Sequence, residues 1–446
     1  MLDKFKTLSQ TVANKAAEGA GRAAERLNKG ATPKKDKEEY IVALDVGTEY
    51  VKALVARVVN GDEAEIIGVG RAHQSLSDMQ AGAIADIAGV VGNCDKALNQ
   101  AEQQAGVSAR TAMIGIAGEL VKGTTTSVRI SRKQSDKPMD IVEVERIIKI
   151  VQEKAEERAK QSLALELGGK NVEVRLVNSA LVGIDIDGYK VTNPIGFQGK
   201  EVLVQLYTAF APLIHIGALE KTAQELDLDL LAVAAEPFAV ARSVIGDDPN
   251  ATMSAILMDV GGGTTDIAVV DEGGVQGTKM FGIGGRAYTR AIERDLGVDF
   301  PEAEDLKLHF GTKKLAPHKL PAVEKALHKT LDVWIGGVEL ALSEFTKLDQ
   351  LPHRIFLCGG GSSLDMLMDE LHSSSWYKQL PFTRKPTIQY INPEQVVGII
   401  DKTGHANDHT YITAMGLLRV GLDTLQQANS APTSSVREKL DRMLRV

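Results

Sequence analysis

The residues best suited to chemistry are two aspartates, each placed at the end of an apolar run and followed by glycine. Asp45 follows residues 41–44 and precedes Val-Gly-Thr, while Asp259 follows residues 255–258 and precedes Val-Gly-Gly-Gly-Thr-Thr-Asp. Both patterns predict a strand, a tight glycine turn and a second strand. Each pattern continues through another turn to a third apolar strand. The sequence therefore predicts two copies of a three-stranded meander, each with an aspartate at its first turn.

The glycine turns predict a phosphate-binding site. Glycine has no Cβ, so the backbone N–H groups of such a turn can come close to a ligand and converge on an anion. A carboxylate beside them would repel a bare phosphate, but not one that carries a divalent cation. We therefore predict that Asp45 and Asp259 hold Mg2+, largely through water. The predicted phosphate-binding residues are Gly47, Thr48, Gly261, Gly262, Gly263 and Thr264.

A third glycine stretch follows the apolar run 355–358 and consists of Gly359, Gly360, Gly361 and Ser362. The pattern predicts a strand, a glycine turn and the start of a helix, and a flat base could lie against such a backbone. One glycine turn can serve structure alone. Three of them, two with an aspartate, indicate nucleotide binding.

These stretches resemble the motifs of the actin, heat-shock-70 and sugar-kinase superfamily. Residues 45–48 resemble its first phosphate motif, 259–266 its second and 357–363 its adenosine motif, and residues 235–241 and 413–418 resemble its two connecting helices. All five occur in the family order. The resemblance implies an α/β, actin-like (ribonuclease H-like) two-lobed ATPase fold. It also implies ATP and Mg2+ in the interlobe cleft, and at most slow ATP hydrolysis.

The same resemblance suggests roles for three residues around the phosphates. Lys52 matches a lysine that reaches the phosphates in actin, although an outward-facing strand lysine fits the same pattern. Glu236 lies where heat-shock-70 relatives place a carboxylate near the attacking water, which makes it a candidate catalytic residue; capping the connecting helix is the alternative. Glu49 is a departure, because many relatives have a hydroxyl residue after the threonine. Its carboxylate would weaken phosphate binding unless it turned away or met the metal.

The resemblance also implies a ribose site. In the superfamily, a loop equivalent to Gly284 and Gly285 leads to a helix whose Glu-x-x-Lys pair touches the ribose hydroxyls. Glu304 and Lys307 match that spacing. An ordinary ion pair on a helix surface has the same spacing, so both interpretations are open.

An insert narrows the resemblance. Between residues 84 and 200 the predicted order is helix, strand, strand, helix, strand, strand, and a loop with Asn193, Gly196 and Gly199 closes it. This order resembles subdomain 1C of the bacterial cell-division family FtsA, and the pilus-assembly family PilM shares it. The Asn-Pro-x-Gly loop and the tail of the chain favour FtsA.

The resemblance divides the chain into subdomains. The predicted parts are an N-terminal extension (1–38), subdomain 1A (39–83, 191–246 and 397–423), the inserted subdomain 1C (84–190), subdomain 2A (247–300 and 346–396), subdomain 2B (301–345), a linker (424–435) and a C-terminal amphipathic helix (436–446).

Both ends of the chain have amphipathic character. Val436, Leu440, Met443 and Leu444 share one helical face, and Lys and Arg line the other. A basic amphipathic helix on a polar linker predicts an anchor on an anionic membrane surface, and it matches the FtsA membrane-targeting helix in position. A helix packed on the body is the alternative. For residues 1–38, contact with a membrane or partner and a frayed helix are both open.

By resemblance, the function is that of an ATP-binding, actin-like polymerising adaptor that tethers filaments of the tubulin relative FtsZ to the cytoplasmic membrane during cell division. The implied partners are the FtsZ C-terminal peptide through subdomain 2B, further copies of the chain through subdomain 1C, and other division proteins. A PilM-like cytoplasmic scaffold of a pilus or secretion machine is one alternative. A small-molecule kinase on the same fold is the other, but the sequence offers no evident general base or substrate pocket for it.

Composition sets the remaining limits. A chain of 446 residues, 43% hydrophobic and 25% charged, is typical of a globular protein with several subdomains. The net charge of −8 disfavours nucleic acid as a partner. No apolar run reaches the roughly 18 residues of a transmembrane helix. Cys94 and Cys358 lack metal-type spacing, which predicts free thiols in a reducing compartment. The free thiols favour a cytoplasmic protein, and the resemblance to FtsA implies that it lies peripherally on the inner face of the membrane at the division site.

Overall fold

The computed structural model describes residues 38–169, 172–245, 253–373 and 375–429. The strands are β1 (Tyr40–Val46), β2 (Tyr50–Val59), β3 (Glu63–His73), β4 (Met79–Gln80), β5 (Ala83–Ile84), β6 (Thr111–Ile116), β7 (Lys122–Ser131), β8 (Val174–Ile186), β9 (Tyr189–Val191), β10 (Glu201–Pro212), β11 (Asp229–Ala235), β12 (Ala255–Val260), β13 (Thr265–Asp271), β14 (Gly274–Phe281), β15 (Arg354–Cys358), β16 (Thr387–Tyr390) and β17 (Ile399–Asp401). The α-helices are α1 (Ile87–Ala105), α2 (Ile141–Glu166), α3 (Leu213–Glu225), α4 (Glu236–Ile245), α5 (Gly285–Leu296), α6 (Phe300–Gly311), α7 (Leu320–Ser343), α8 (Asp365–His372) and α9 (Ile412–Asn429).

Two sheets carry the two predicted meanders. The first sheet has six strands in the order β11-β6-β1-β2-β3-β17, and the second has nine in the order β16-β15-β12-β13-β14-β7-β10-β8-β9. Asp45 lies opposite Lys52 in the first hairpin, and Asp259 lies opposite Asp266 in the second. Both hairpins therefore have the same register across the same length of turn. The two meanders are confirmed.

The helices α4 and α9, which match the predicted connecting helices, join the two sheets. Phe238 of α4 and Leu417 of α9 share one buried core with Leu44 of the first sheet and Leu257 of the second. Because residue 416 is glycine, α9 can approach the backbone of α4; a Cβ there would lie only 2.5 Å from the carbonyl oxygen of Ala239. We call the first sheet with its helices the first lobe, and the strands β12–β16 with theirs the second lobe.

The outer face of the second lobe is covered by α5, α6 and α7. Tyr288, Leu327 and Trp334 are buried in one core with Ile256 of β12. Trp334 also donates a hydrogen bond from Nε1 to the Thr265 hydroxyl, over 2.9 Å. Residues 301–345, predicted as a separate subdomain 2B, therefore contribute to the core of the second lobe and support the start of β13.

The inserted region starts later than predicted. The prediction assigned residues 84–190 to it, but β6 pairs in parallel with β1 in the first sheet, and α1 packs on β2 and β3. The elements with a core of their own are β7, α2, β8 and β10, where Ile147 and Val151 pack against Val204. We call these four elements, with β9, the insert. Its strand β7 pairs with β14 of the second lobe through Thr124 and Gly277.

None of the described helices is long and apolar enough to cross a membrane. The prediction placed the linker at residues 424–435, but α9 continues to Asn429, so residues 424–429 are helical and not a linker. Residues 1–37 and 430–446, which include most of the N-terminal extension, the rest of the linker and the predicted amphipathic helix, lie outside the described residues. Val436, Leu440, Met443 and Leu444 therefore remain sequence-based predictions.

Close packing of α1 on β3 depends on glycine. A Cβ at Gly70 would overlap the carbonyl oxygen of Ala97 in α1, and one at Gly68 would overlap that of Ala101. The side-chain amides of Gln100 and Gln104 accept hydrogen bonds from the N–H groups of Arg71 and Val69 at 3.0 and 2.8 Å. The helix therefore lies directly on the strand backbone and holds β3 in place.

We predict that Gly70→Ala lowers the free energy of unfolding by more than about 3 kcal/mol, because the new methyl group displaces the α1 backbone rather than a flexible side chain. Urea unfolding followed by circular dichroism measures the change. Gly92→Ala is the matched control, since a Cβ at Gly92 within α1 meets nothing within 4 Å. It should leave stability unchanged or raise it by about 0.5–1 kcal/mol. Equal effects of the two substitutions would contradict the packing argument.

Candidate nucleotide-binding site

One cavity of about 290 Å3 lies between the two meanders and collects most of the predicted site residues. The predicted residues that line it are Asp45, Gly47, Thr48, Lys52, Glu236, Asp259, Gly261, Gly262, Thr264, Gly285, Glu304, Lys307, Gly359, Gly360 and Gly361. Gly263, Gly284 and Ser362 are not part of its wall. They lie behind it and shape the turns that form it.

The first turns of both meanders offer unpaired N–H groups. Within the described residues, the backbone N–H groups of Gly47, Thr48, Gly262 and Gly263 donate to no backbone or side-chain acceptor. Unpaired N–H groups from two turns on either side of one cavity are the arrangement that binds an anion.

The turn of the second meander is held from behind by the start of α5. The N–H groups of Gly285 and Arg286 donate to the carbonyl oxygens of Gly261 and Gly262, at 2.9 and 2.8 Å. Gly284 makes this approach feasible, because a Cβ there would lie 2.6 Å from the Gly261 carbonyl oxygen. The carbonyl groups of the turn are thus bound by α5, while the N–H groups of Gly262 and Gly263 stay available.

The two turns touch each other. A Cβ at Gly263 would lie 2.7 Å from Thr48 Oγ1, and a Cβ at Gly262 would lie 2.7 Å from Glu49 Cβ. Glycine is therefore required at the second turn for the two lobes to come this close.

An ion pair joins the lobes beside these turns. Glu49 Oε2 accepts from Arg286 Nε at 2.6 Å, and Glu49 Oε1 lies 2.7 Å from His73 Nε2. The sequence left open whether the Glu49 carboxylate turns away from the phosphates or meets the metal. In the structure it pairs across the cleft with Arg286 of the second lobe. Its charge is balanced by Arg286.

Lys52 points into the cleft and not outward. Its ammonium Nζ lies 2.8 Å from Asp45 Oδ2, and its side chain is only 14% exposed. Burial by itself lowers the pKa of Lys52, but the nearby carboxylates of Asp45, Asp259 and Glu236 outweigh that effect and raise the pKa above its usual value. Lys52 therefore stays charged in the cleft.

The carboxyl groups around Lys52 outnumber its single ammonium group. Burial, followed by repulsion from Asp45, Asp266 and Asp259, raises the pKa of Glu236 well above its usual value. Burial and the neighbouring Asp259 do the same for Asp266, and burial raises the pKa of Asp259. Since each carboxyl group is harder to ionise in the presence of the others, this end of the cavity has a deficit of positive charge.

The acidic cluster fits a hydrated divalent cation. Asp266 Oδ1 is buried and has no hydrogen-bond partner within the described residues, although Asp266 lines the cavity. No group of three or more Asp, Glu, His or Cys side chains in the described part of the chain is close enough to bind a metal directly. Mg2+ usually keeps several waters and binds through one or two carboxylates and substrate phosphates. Asp45, Asp259 and Asp266 are the residues that would hold it, largely through water.

Glu304 and Lys307 face the cavity from α6, so they are not an ordinary surface pair. Lys307 Nζ lies 2.8 Å from Glu304 Oε2 and also donates to the Gly285 carbonyl oxygen and the Thr289 hydroxyl, at 3.1 and 2.9 Å. The pair is tied to the start of α5. Its carboxylate and ammonium are a donor and acceptor set suited to sugar hydroxyls.

The third glycine turn packs against the second. A Cβ at Gly361 would lie 2.7 Å from the Gly261 carbonyl oxygen, whereas a Cβ at Gly360 would meet nothing within 4 Å and would extend into open space. Ser362 is fully buried and donates to the Gly359 carbonyl oxygen at 2.7 Å, so it shapes the turn from inside. Leu308, Gly311, Thr312 and Leu364 also line the cavity. A flat ring fits against such a backbone surface.

Sequence reasoning missed several residues of the wall. Asp266 is the last residue of the second phosphate motif, but no role was predicted for it. Its register opposite Asp259 repeats that of Lys52 opposite Asp45. This repeat was a usable signal. Tyr50 and Arg71 also line the cavity, and Arg286 pairs with a residue 237 positions away. No local pattern predicts that pairing.

We predict that Glu236→Gln stabilises the ligand-free protein, relative to wild type, by more at pH 8 than at pH 5. A carboxyl group whose pKa is raised in the folded state stabilises the protein while protonated, and this contribution is lost as pH rises through the folded-state pKa. Glutamine cannot ionise, so the variant escapes the loss.

Thermal or urea unfolding from pH 5 to pH 8 tests this. The difference in unfolding free energy between variant and wild type should grow by at least about 1 kcal/mol over that range. Glu63→Gln, which removes an exposed carboxyl group of β3, is the control and should give parallel curves. Parallel curves for Glu236→Gln would refute the repulsion.

Two sheets with matching meanders, joined by two helices around a cavity lined by the meander turns, define the actin-like ATPase fold. The solved PilM-PilN type IV pilus biogenesis complex contains a chain with this fold, with a TM-score of 0.61 and 16% sequence identity over 86% of this chain and 98% of that one. This likeness concerns the fold alone.

Sequence comparison is more specific. The family model for cell division protein FtsA matches residues 256–416. The FtsA of Pseudomonas aeruginosa is 26% identical over 414 residues, which cover 88% of this chain and 92% of that protein. The FtsA of Bacillus subtilis is 25% identical over 276 residues, which cover 61% of this chain and 58% of that protein. The resemblance to FtsA predicted from the motifs is confirmed: the chain is similar in sequence to these cell-division proteins.

Proposed function

We propose that this chain binds Mg-ATP between its two lobes and acts, as an FtsA-like adaptor, to connect FtsZ filaments to the cytoplasmic membrane. The observation that carries the nucleotide part is the pair of facing turns with unpaired N–H groups at Gly47, Thr48, Gly262 and Gly263. Around them lie the acidic cluster for a hydrated cation, the Glu304–Lys307 pair for the ribose and the open backbone at Gly360 for the base.

The two charge features of the site support this ligand. Four carboxyl groups, from Asp45, Asp259, Asp266 and Glu236, influence one another near a single ammonium. A magnesium ion would relieve their repulsion, and its phosphate ligands would take up the free N–H groups on both sides. Phosphoryl transfer depends mostly on positioning and charge stabilisation, so such a site can bind ATP and hydrolyse it slowly.

We predict that Gly360→Leu strongly weakens nucleotide binding without destabilising the protein. A side chain there points into open space, so it fills the base site and leaves the packing intact. Isothermal titration with Mg-ADP should show a dissociation constant raised by more than about 30-fold, since the base loses most of its contact area. The melting temperature of the ligand-free protein should stay the same.

Gly361→Ala is the contrasting variant. Its Cβ would press on the Gly261 carbonyl oxygen at 2.7 Å, so it should lower stability and binding together. Wild-type affinity in a folded Gly360→Leu protein would place the base elsewhere.

The adaptor part of the proposal rests on the FtsA resemblance and on one exposed surface. The FtsA family match extends over residues 256–416, which include α7. Val333 and Leu340, seven residues apart on α7, are 60% and 65% exposed and form an apolar strip suited to a peptide. We assign the FtsZ C-terminal peptide to this part of the second lobe, polymer contacts to the insert, and membrane contact to residues 436–446.

Co-sedimentation of FtsZ with anionic phospholipid vesicles and this protein in Mg-ATP tests the adaptor role. We expect FtsZ to pellet only when the full-length chain is present, and deletion of residues 436–446 to release both proteins. A chain that also lacks residues 1–38 determines whether the N-terminal extension takes part. Full vesicle binding without either end would refute the anchor.

A second outcome would favour a different function. If the protein reaches vesicles while FtsZ stays in solution, the proposed partner is wrong. The PilM-like scaffold, whose fold this chain shares, is then the better interpretation. Failure of the protein to bind vesicles at all leads to the same interpretation.

A further inference from the structure

The cationic side chains that line the cavity differ in whether they already pair with a carboxylate. In the described part of the chain, four of them line it, namely Lys52, Arg71, Arg286 and Lys307. Lys52 pairs with Asp45, Arg286 with Glu49 and Lys307 with Glu304. Arg71 is the exception, because its guanidinium has neither a carboxylate partner nor a side-chain hydrogen bond within the described residues. Arg71 can therefore bind an anion without breaking an existing ion pair.

The register of the first meander aligns Arg71 with the phosphate machinery. Asp45 lies opposite Lys52 across β1 and β2, and Lys52 lies opposite Arg71 across β2 and β3. Directly opposed residues of antiparallel strands point to the same face of a sheet, and neighbouring strands are about 4.8 Å apart. Asp45, Lys52 and Arg71 therefore form one row that runs from the acidic cluster outward along the first lobe.

Arg71 is held in position by an aromatic ring. Its guanidinium carbon lies 3.5 Å from the centroid of the Tyr50 ring, and Tyr50 also lines the cavity. The Arg71 N–H donates to the Gln100 side chain of α1 at 3.0 Å, so the backbone is fixed as well. A guanidinium stacked on a ring keeps its edge free for bidentate hydrogen bonds to a phosphate. Pre-orientation also lowers the entropy lost on binding.

The position of Arg71 indicates which phosphate it meets. The proposed base and ribose contacts, Gly360, Leu364, Glu304 and Lys307, all belong to the second lobe. The free N–H groups of the two turns lie where the lobes meet. Arg71 belongs to the first-lobe wall, so a nucleotide that starts at the base site and passes the turns reaches it with its last phosphate.

We propose that Arg71 binds the terminal phosphate of a nucleoside triphosphate and makes the site prefer the triphosphate over the diphosphate. Arg71 is thus a specificity-determining residue, and the inference rests on the proposed nucleotide binding. In the ligand-free protein the guanidinium stays on Tyr50, facing the cavity. A diphosphate ends before it and gains little from it.

Calorimetric titration with Mg-ATP and Mg-ADP, on wild type and variants of the full-length chain, tests the proposal. Arg71→Gln should weaken Mg-ATP binding by about ten- to a hundred-fold, the value of a charge-assisted hydrogen bond. Mg-ADP binding should change by less than about three-fold, since only long-range attraction is lost. Arg71→Lys should recover part of the ATP affinity, because an ammonium keeps the charge but not the fork.

Arg57→Gln is the matched control. Arg57 lies on β2 of the same sheet, outside the cavity, and pairs with Glu65, so the variant has the same charge change without the contact. It should leave the ratio of ATP to ADP affinity unchanged. Circular dichroism checks folding, and if Arg71→Gln does not fold, the selective loss of ATP affinity in Arg71→Lys decides.

Three results would overturn the proposal: equal weakening of ATP and ADP by Arg71→Gln, no weakening of either, or a matching loss of the affinity ratio in Arg57→Gln. If the wild type binds neither nucleotide, the proposed function fails and the inference fails with it. If the wild type binds both and Arg71→Gln leaves their ratio unchanged, only the inference fails.

Discussion

The ammonium group of Lys52 lies among carboxyl groups from four elements, and the arrangement of the cleft depends on this imbalance. Asp45 lies in β1, Asp259 in β12 and Asp266 in β13, and Glu236 opens α4. Burial and mutual repulsion raise the pKa of Glu236 and Asp266 well above their usual values, and only Asp45 pairs directly with Lys52. A cleft built this way is complementary to a ligand that brings a cation with it.

Close approach of backbones is the second constraint, and it explains the glycines. The turns at 47–49 and 261–264 touch, and the turn at 359–361 packs on the second of them. Among the glycines of these three turns, only Gly360 faces open space. Gly360 therefore leaves room for a ligand, whereas the other turn glycines allow two loops to meet. The Glu49–Arg286 pair then joins the lobes beside the contact and neutralises a carboxylate that would otherwise repel phosphate.

Residues outside the cavity hold these turns in place. Gln74 is fully buried; its N–H donates to the Glu49 carbonyl oxygen at 2.9 Å, and its side-chain oxygen accepts from Asn93 of α1 at 2.8 Å. Trp334 of α7 supports Thr265 in the same way from the other lobe. The insert has a core of its own, but Val177 of β8 and Tyr207 of β10 also belong to the core shared by the two sheets. It contacts the second lobe at several points; for example, Thr125 Oγ1 donates to the Val275 carbonyl oxygen at 2.6 Å.

Local pattern determined the meanders, the three glycine turns and the position of each aspartate, because a strand alternation and a turn are specified by neighbouring residues. It also placed Glu304 and Lys307 one helical turn apart, but not their orientation toward the cavity. Tertiary structure decided which way Lys52 points, the partner of Glu49, and the place of β6 and α1, which joined the first lobe and not the insert. These outcomes depend on pairing between segments up to 237 residues apart, and no window of neighbouring residues contains that information.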